Sequence, residues 1–152
     1  MDEALRNKIL DLLDQHRIMT LATNRPDGWP QATTVGYCND GLTLYFLCSP
    51  QSQKAQNLAK DSRISLTIDH DTSDPTTITG LSMAAYARGV ADPDETAKAI
   101  KLLAEKYPEY AGFPMPNPQD IRIFRVTPTV ISILDYTKGF GHSDLVMVAG
   151  QS

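Results

Sequence analysis

The sequence predicts a mainly β domain with flanking helices, built as an antiparallel barrel of six or seven strands. Three observations carry this reading. Short runs of alternating apolar and polar residues recur along the chain, as in strands with one buried face. Turn residues punctuate them at Asn24-Arg25-Pro26-Asp27-Gly28, Asn39-Asp40-Gly41 and Thr127-Pro128. Helical periodicity is confined to three segments. A chain of 152 residues with 41% hydrophobic content fills one core, so residues 1–152 read as a single domain.

Taken in order, residues 2–16 place Leu5, Ile9, Leu12 and Leu13 on one helical face, with acids early in the segment. Ile18 to Thr23 is the first strand, and Trp29-Pro30-Gln31 leads into a second that runs to about Cys38. Asn39-Asp40-Gly41 is the strongest hairpin signal in the chain. The third strand, Leu42 to Cys48, alternates Leu42, Leu44 and Phe46 against Thr43, Tyr45 and Leu47. Ser49 and Pro50 read as the N-cap and first residue of a short helix ending near residue 60.

Ile64, Leu66 and Ile68 then alternate with polar residues in a half-buried strand, followed by an acidic loop from His70 to Thr77. Leu81 to Ala91 is another strand, in which Gly89 marks a bulge or a close backbone approach. Asp92, Pro93 and Glu95 form a capping-box start for a helix reaching Tyr107, with Ala97, Ile100, Leu103 and Ala104 inward. The proline-rich segment 108–118, with Tyr110 and Phe113, reads as an ordered loop, a connector in preference to a lid. Two strands follow, Ile121–Val126 and Val130–Asp135. The tail, 136–152, opens with Tyr136-Thr137-Lys138-Gly139-Phe140-Gly141-His142, too aromatic and glycine-rich for a plain disordered end.

Composition excludes several classes. A net charge of −4 gives no basic face for nucleic acid. No apolar run approaches membrane-spanning length, and Met1 to Arg17 does not resemble a signal peptide, so the expected protein is soluble and cytoplasmic. Across a hairpin, Cys38 and Cys48 would be offset by roughly 16 Å, beyond the ~7 Å reach of a disulfide, so both are expected as free thiols. Asp69, His70, Asp71 and Asp74 lack a second ligand set and read as a solvated loop rather than a metal site. His16 needs only its helix end, and Trp29 reads as packing.

The stretch with chemistry is Ser49-Pro50-Gln51-Ser52-Gln53-Lys54. A helix start offers free N–H groups and a positive dipole end, to which Ser52 adds a hydroxyl and Lys54 a charge. These are the parts of a phosphate site.

The run Ala32 to Lys54, ATTVGYCNDGLTLYFLCSPQSQK, resembles the FMN-binding split-barrel superfamily typified by pyridoxamine 5'-phosphate oxidase. Asn57-Leu58 with Ser62-Arg63-Ile64-Ser65-Leu66, and Ala87-Arg88-Gly89-Val90-Ala91, resemble later strands of that family. The resemblance implies a homodimeric split β-barrel with two FMN molecules in grooves between the chains. By position, Thr33, Thr34 and Val35 would line the flavin ring. Leu47, Cys48 and Ser49 would meet the ring edge and ribityl chain, with Cys48 as a small buried hydrophobe. Ser52, Gln53 and Lys54 would hold the phosphate. Tyr136, Phe140 and His142 would approach the partner's flavin. The family carries basic residues where Ala32, Tyr37 and Gln53 stand, which leaves Lys54 as the main cation, with Arg63 or Arg88 as candidates to compensate. The tail also lacks the family oxidase's Arg-x-His pair, which argues against the vitamin-B6 oxidase reaction itself.

Three functions follow from that resemblance. The first is an FMN-dependent oxidoreductase acting on an unidentified small substrate, with flavin N5 as hydride acceptor and NADH or NADPH as the reductant. The second is a non-catalytic, stress-related module that binds FMN or haem. The third is a reductase using the deazaflavin F420, whose polyanionic tail suits an acidic chain poorly.

Overall fold

The computed structural model describes residues 1–114 and 116–148; residues 149–152 of the expected tail lie outside it. The helices are α1 (Glu3–Gln15), α2 (Gln53–Lys60) and α3 (Pro93–Lys106). The strands are β1 (Ile18–Asn24), β2 (Pro30–Gly36), β3 (Cys38–Asp40), β4 (Thr43–Cys48), β5 (Arg63–Ile68), β6 (Thr79–Gly89), β7 (Arg122–Asp135) and β8 (Ser143–Met147). All pair antiparallel in the order β2-β1-β5-β6-β7-β4-β3, with β8 added to the second half of β7.

The two ends of that order are consecutive in the chain. Only Tyr37 separates β2 from β3, so the sheet curls until the chain itself joins its edges. β3 covers β4 only at Thr43–Tyr45. Phe46–Cys48 therefore face the free edge of β2, to which β4 comes close. The curled sheet is split there. This is the mainly β, antiparallel architecture expected, with seven strands on the curled path and β8 added beside β7.

Helices close both ends. α1 inserts Ile9, Leu12 and Leu13 into the core at the end marked by Tyr37, His70 and Asp135. At the other end α2 buries Ala55, Asn57 and Leu58. Between them Phe46 stacks on Phe124 with ring centroids 5.3 Å apart. Cys48 joins that core, whereas Cys38 points to the opposite face and packs under Ala99 of α3. Both thiols are free, and burial pushes that of Cys38 up to about 12.

Several expectations need correction. Tyr37 interrupts the second strand because its backbone leaves the ladder for the Tyr107 hydroxyl, to which its N–H donates at 2.9 Å and from which its carbonyl accepts at 2.8 Å. Its own buried hydroxyl reaches the carbonyls of Leu13 and His16. The hairpin turn is Gly41-Leu42, with Gly41 at φ 59°, a sign only glycine adopts readily. The last two expected strands are one. Pro128 is tolerated because Thr129 bulges beside it, between the pairs Ala84–Val130 and Ala85–Pro128, and donates its hydroxyl to the Ala84 carbonyl at 3.2 Å.

Gly89 is neither bulged nor crowded; Gly80 is the close approach, since a Cβ there would sit 2.4 Å from the Ile68 carbonyl oxygen. In α3 the inward residues are Ala99, Ile100, Leu102 and Leu103, while Ala97 and Ala104 are exposed. Glu95 forms no capping box: its carboxylate turns inward to Arg125 (2.7 and 2.8 Å) and the Tyr45 hydroxyl (2.8 Å), which rotates the helix face. His16 is buried, hydrogen-bonded through Nδ1 to the Leu12 carbonyl and through Nε2 to His70, each at 2.7 Å. Trp29 is 73% exposed and packs no core. The tail continues as a tight turn and then β8.

Candidate functional site

Three of the four groups of expected site residues border the split. Thr33, Thr34 and Val35 lie on β2, with Thr33 and Val35 half-buried and Thr34 exposed on the outer face. Across the gap, Leu47 is exposed on that outer face and Cys48 is buried, and Ser49 follows them out of β4. α2 then crosses the end of the gap. Each of these strand edges is unpaired on the side of the split, so it offers backbone donors and acceptors to whatever lies between.

The structure supplies two unsatisfied features there. Among the described residues, Thr33 Oγ1 is the one buried side-chain oxygen without a hydrogen-bond partner. The N–H groups of Gln53 and Lys54 at the start of α2 also find no partner among the described residues. A ligand with hydrogen-bonding edges and an anionic group is what such a site lacks. The residues present fit a flavin phosphate in that respect.

The details of the helix start differ from expectation. α2 begins at Gln53 rather than Pro50, with Ser52 as its N-cap. Ser49-Pro50-Gln51-Ser52 forms a closed turn, in which Ser52 N–H donates to the Ser49 carbonyl at 3.0 Å. The reason is the Ser52 hydroxyl, which accepts from Ala55 N–H (3.2 Å) and donates to the Ser49 carbonyl (2.8 Å). Its hydrogen is thus committed within the turn. Gln53 is occupied as well, donating its amide to Asn57 Oδ1 at 2.8 Å. Of the expected phosphate ligands, Lys54 makes no side-chain bond among the described residues.

Sequence reasoning missed Asn57 as a residue of this site. It is fully buried, accepts from Gln53 and donates to Thr23 Oγ1 (2.9 Å) and Gln31 Oε1 (3.4 Å), so it seats α2 against β1 and β2. Its signal was a polar residue on the same face as Ala55 and Leu58. Arg122 was also missed, and nothing in the sequence marks it. Paired with Cys48 in the ladder, it lines a groove of about 340 Å³ against Leu58, Val90 and Phe124, with no acidic partner among the described residues. Of the other cations, Arg63 is taken by both oxygens of Asp61 (3.0 and 2.9 Å), and Arg88 lies over the Tyr86 ring at 4.7 Å.

Tyr136, Phe140 and His142 stand elsewhere. They occupy the turn between β7 and β8, beyond Asp135, whereas Arg122 beside Cys48 opens the same strand. At ~3.3 Å per residue that strand separates the two groups by up to about 40 Å. One chain does not bring them together. Phe140 is fully exposed at the tip, between Gly139 and Gly141, both at positive φ.

The outer face of the sheet is uncharged over a wide area. One cross-strand row reads Thr34, Thr20, Thr67, Ser82, Ser132 and Leu145; the next reads Ala32, Ala22, Ser65, Ala84, Val130 and Met147. Among the described residues there is also no group of three or more His, Cys, Asp or Glu placed to hold a metal, and no helix long and apolar enough to cross a membrane.

Comparison with known proteins bears on the family and the fold. Residues 5–135 match the family model described as pyridoxamine 5'-phosphate oxidase. A relative, general stress protein 26 of Bacillus subtilis, is 30% identical over 67 residues, which is 44% of this chain and 47% of that protein. Among solved structures, a heme-binding protein from Mycobacterium smegmatis superposes with a TM-score of 0.80 at 21% identity, covering 97% of this chain and 59% of that one. HutZ, the heme storage protein of Vibrio cholerae, gives 0.69 at 19% identity, with 93% and 92% covered. The chain thus spans about half to three-fifths of the first two.

Proposed function

The chain belongs to the pyridoxamine 5'-phosphate oxidase family, and from that premise we propose that it is an FMN-binding flavoprotein, active as a homodimer and built for oxidoreductase chemistry on a small substrate. The observation that carries the reading is the split. It combines two unpaired strand edges with a Thr33 hydroxyl, first helical N–H groups and a Lys54 ammonium that have no partner among the described residues.

In this reading the edges of β2 and β4 hold the hydrogen-bonding rim of the isoalloxazine, and Leu47 and Cys48 give it an apolar wall. The Gln53 and Lys54 N–H groups and the Lys54 ammonium hold the phosphate. Ser52 and Gln53 act indirectly, by fixing the turn and the seat of α2. Bound there, the flavin would supply hydride acceptance at N5, with a nicotinamide as donor.

The same geometry supports a homodimer. The aromatic turn lies too far from the split to serve it within one chain, and the uncharged outer face, flanked by exposed Leu145 and Met147, suits burial against its own copy. A two-fold axis would bring Phe140, Tyr136 and His142 of one copy to the split of the other.

The test is the visible spectrum of the purified protein, then titration with FMN. A flavin spectrum, with FMN released on denaturation, is expected. Lys54→Ala should weaken FMN binding by about 1–3 kcal/mol. A protein that takes up no FMN, or a variant with unchanged affinity, refutes the assignment or the phosphate position respectively. Bleaching by NADH or NADPH within seconds separates an enzyme from a carrier.

A second reading is a heme-binding, stress-related module, favoured by the heme-binding and heme-storage proteins that share the fold. A Soret band in place of the flavin spectrum would select it.

A further inference from the structure

The turn carrying Tyr136, Phe140 and His142 is built unlike a surface loop. Asp135 N–H donates to the His142 carbonyl (3.0 Å), Gly139 N–H to Tyr136 (3.1 Å) and His142 N–H to Gly139 (3.0 Å), so the turn is closed on itself. Tyr136 N–H pins it to the Ile78 carbonyl at 2.9 Å. Its root is the Asp135 carboxylate, whose side chain is only 9% exposed. One oxygen accepts from Thr137 N–H and the Thr137 hydroxyl; the other accepts from Lys8 Nζ at 2.7 Å. Lys8 comes from α1, 127 residues earlier. The Phe140 ring stays wholly in water, held out by a hydrogen-bonded base rather than folded back onto the barrel.

We infer that Lys8 is a positioning residue for the cofactor groove: its ion pair with Asp135 orders the Tyr136–His142 turn, and through it α1 sets how Phe140 is presented to the second copy's split. The last link rests on the proposed homodimeric flavin site. The first link does not, because it concerns bonds within one chain. Lys8 also holds α1 to the end of β7, so the segment preceding the barrel and the tip that leaves it move together. Removing the ammonium leaves one oxygen of a nearly buried carboxylate without its charged donor, and the Thr137 bonds alone must then hold the root.

Two readouts separate the links. Trypsin cleavage after Lys138, followed by mass spectrometry on the apo protein, reports order in the turn without any cofactor. FMN titration reports the groove. Lys8→Met should speed cleavage after Lys138 by about tenfold, the equivalent of one charge-assisted hydrogen bond. It should weaken FMN binding by a factor similar to that of Phe140→Ala, and Lys8→Arg should restore both. Cleavage of Lys8→Met at the wild-type rate would overturn the inference outright. Faster cleavage with unchanged FMN affinity, while Phe140→Ala loses affinity, would overturn the coupling to the groove. If the wild type binds no FMN, the flavin reading and with it the coupling to a cofactor groove fail, while the cleavage rates still decide whether Lys8 orders the turn.

Discussion

Replacing Asn57 with alanine tests the seat of α2, on which the candidate site depends. Asn57 is fully buried and makes good bonds to Thr23 Oγ1 (2.9 Å) and from Gln53 Nε2 (2.8 Å). The Gln53 amide is half-buried and can turn to water. Thr23 is 1% exposed and cannot. The variant therefore loses two bonds worth ~1 kcal/mol each and strands a buried hydroxyl at a cost of ~1–3 kcal/mol, for a total of about 3–5 kcal/mol. In a domain of this size that lowers Tm by about 6–20 °C. Urea unfolding followed by circular dichroism measures it. Thr23→Val with Asn57→Leu replaces both partners by apolar groups and should recover much of the loss. A destabilisation of Asn57→Ala below about 1 kcal/mol would refute the claim that this amide holds α2 in place.

Two further predictions concern the frame around the site. Arg125, the largest cause, lowers the Glu95 carboxyl from 4.5 to about 2, so the pair contributes stability above pH 4.5 that is lost as pH falls toward 2. Glu95→Gln should cost about 1–2 kcal/mol at neutral pH, and the gap to wild type should close across that acid window in pH-dependent denaturation. A gap that stays constant with pH would show that the charge of Glu95 is not what binds α3 to β7. Gly80→Ala should destabilise by about 2–3 kcal/mol, because its Cβ would lie 2.4 Å from the Ile68 carbonyl oxygen. Gly89→Ala, with nothing within 4 Å, should be neutral within ~0.5 kcal/mol; equal losses at the two glycines in thermal melts would contradict the register of β5 against β6.

The sequence by itself determined the architecture wherever one short segment contains its own cause. The alternation of Ile64, Leu66 and Ile68, the Leu5–Ile9–Leu12 stripe and the Asp40-Gly41 turn each predict an element from local periodicity or a local dihedral preference. The stretch Ser49–Lys54 was legible as a helix start for the same reason, although the N-cap is Ser52 rather than Ser49.

What only the tertiary structure decided depends on residues distant in the chain. That Ser52 and Gln53 are bound inward follows from the Ser49 carbonyl and from Asn57, whose seat is made by Thr23 and Gln31. That Glu95 abandons a capping box follows from Arg125, thirty residues on and across the sheet. Pro128 reads as a strand break until the bulge at Thr129 shows how the ladder passes it. Above all, the split exists because β3 stops short of the end of β4, and its distance from Phe140 is the length of β7. Local preference fixes which backbone each segment adopts; which polar groups are left unpaired, and on which side of the barrel, is settled only when the strands meet.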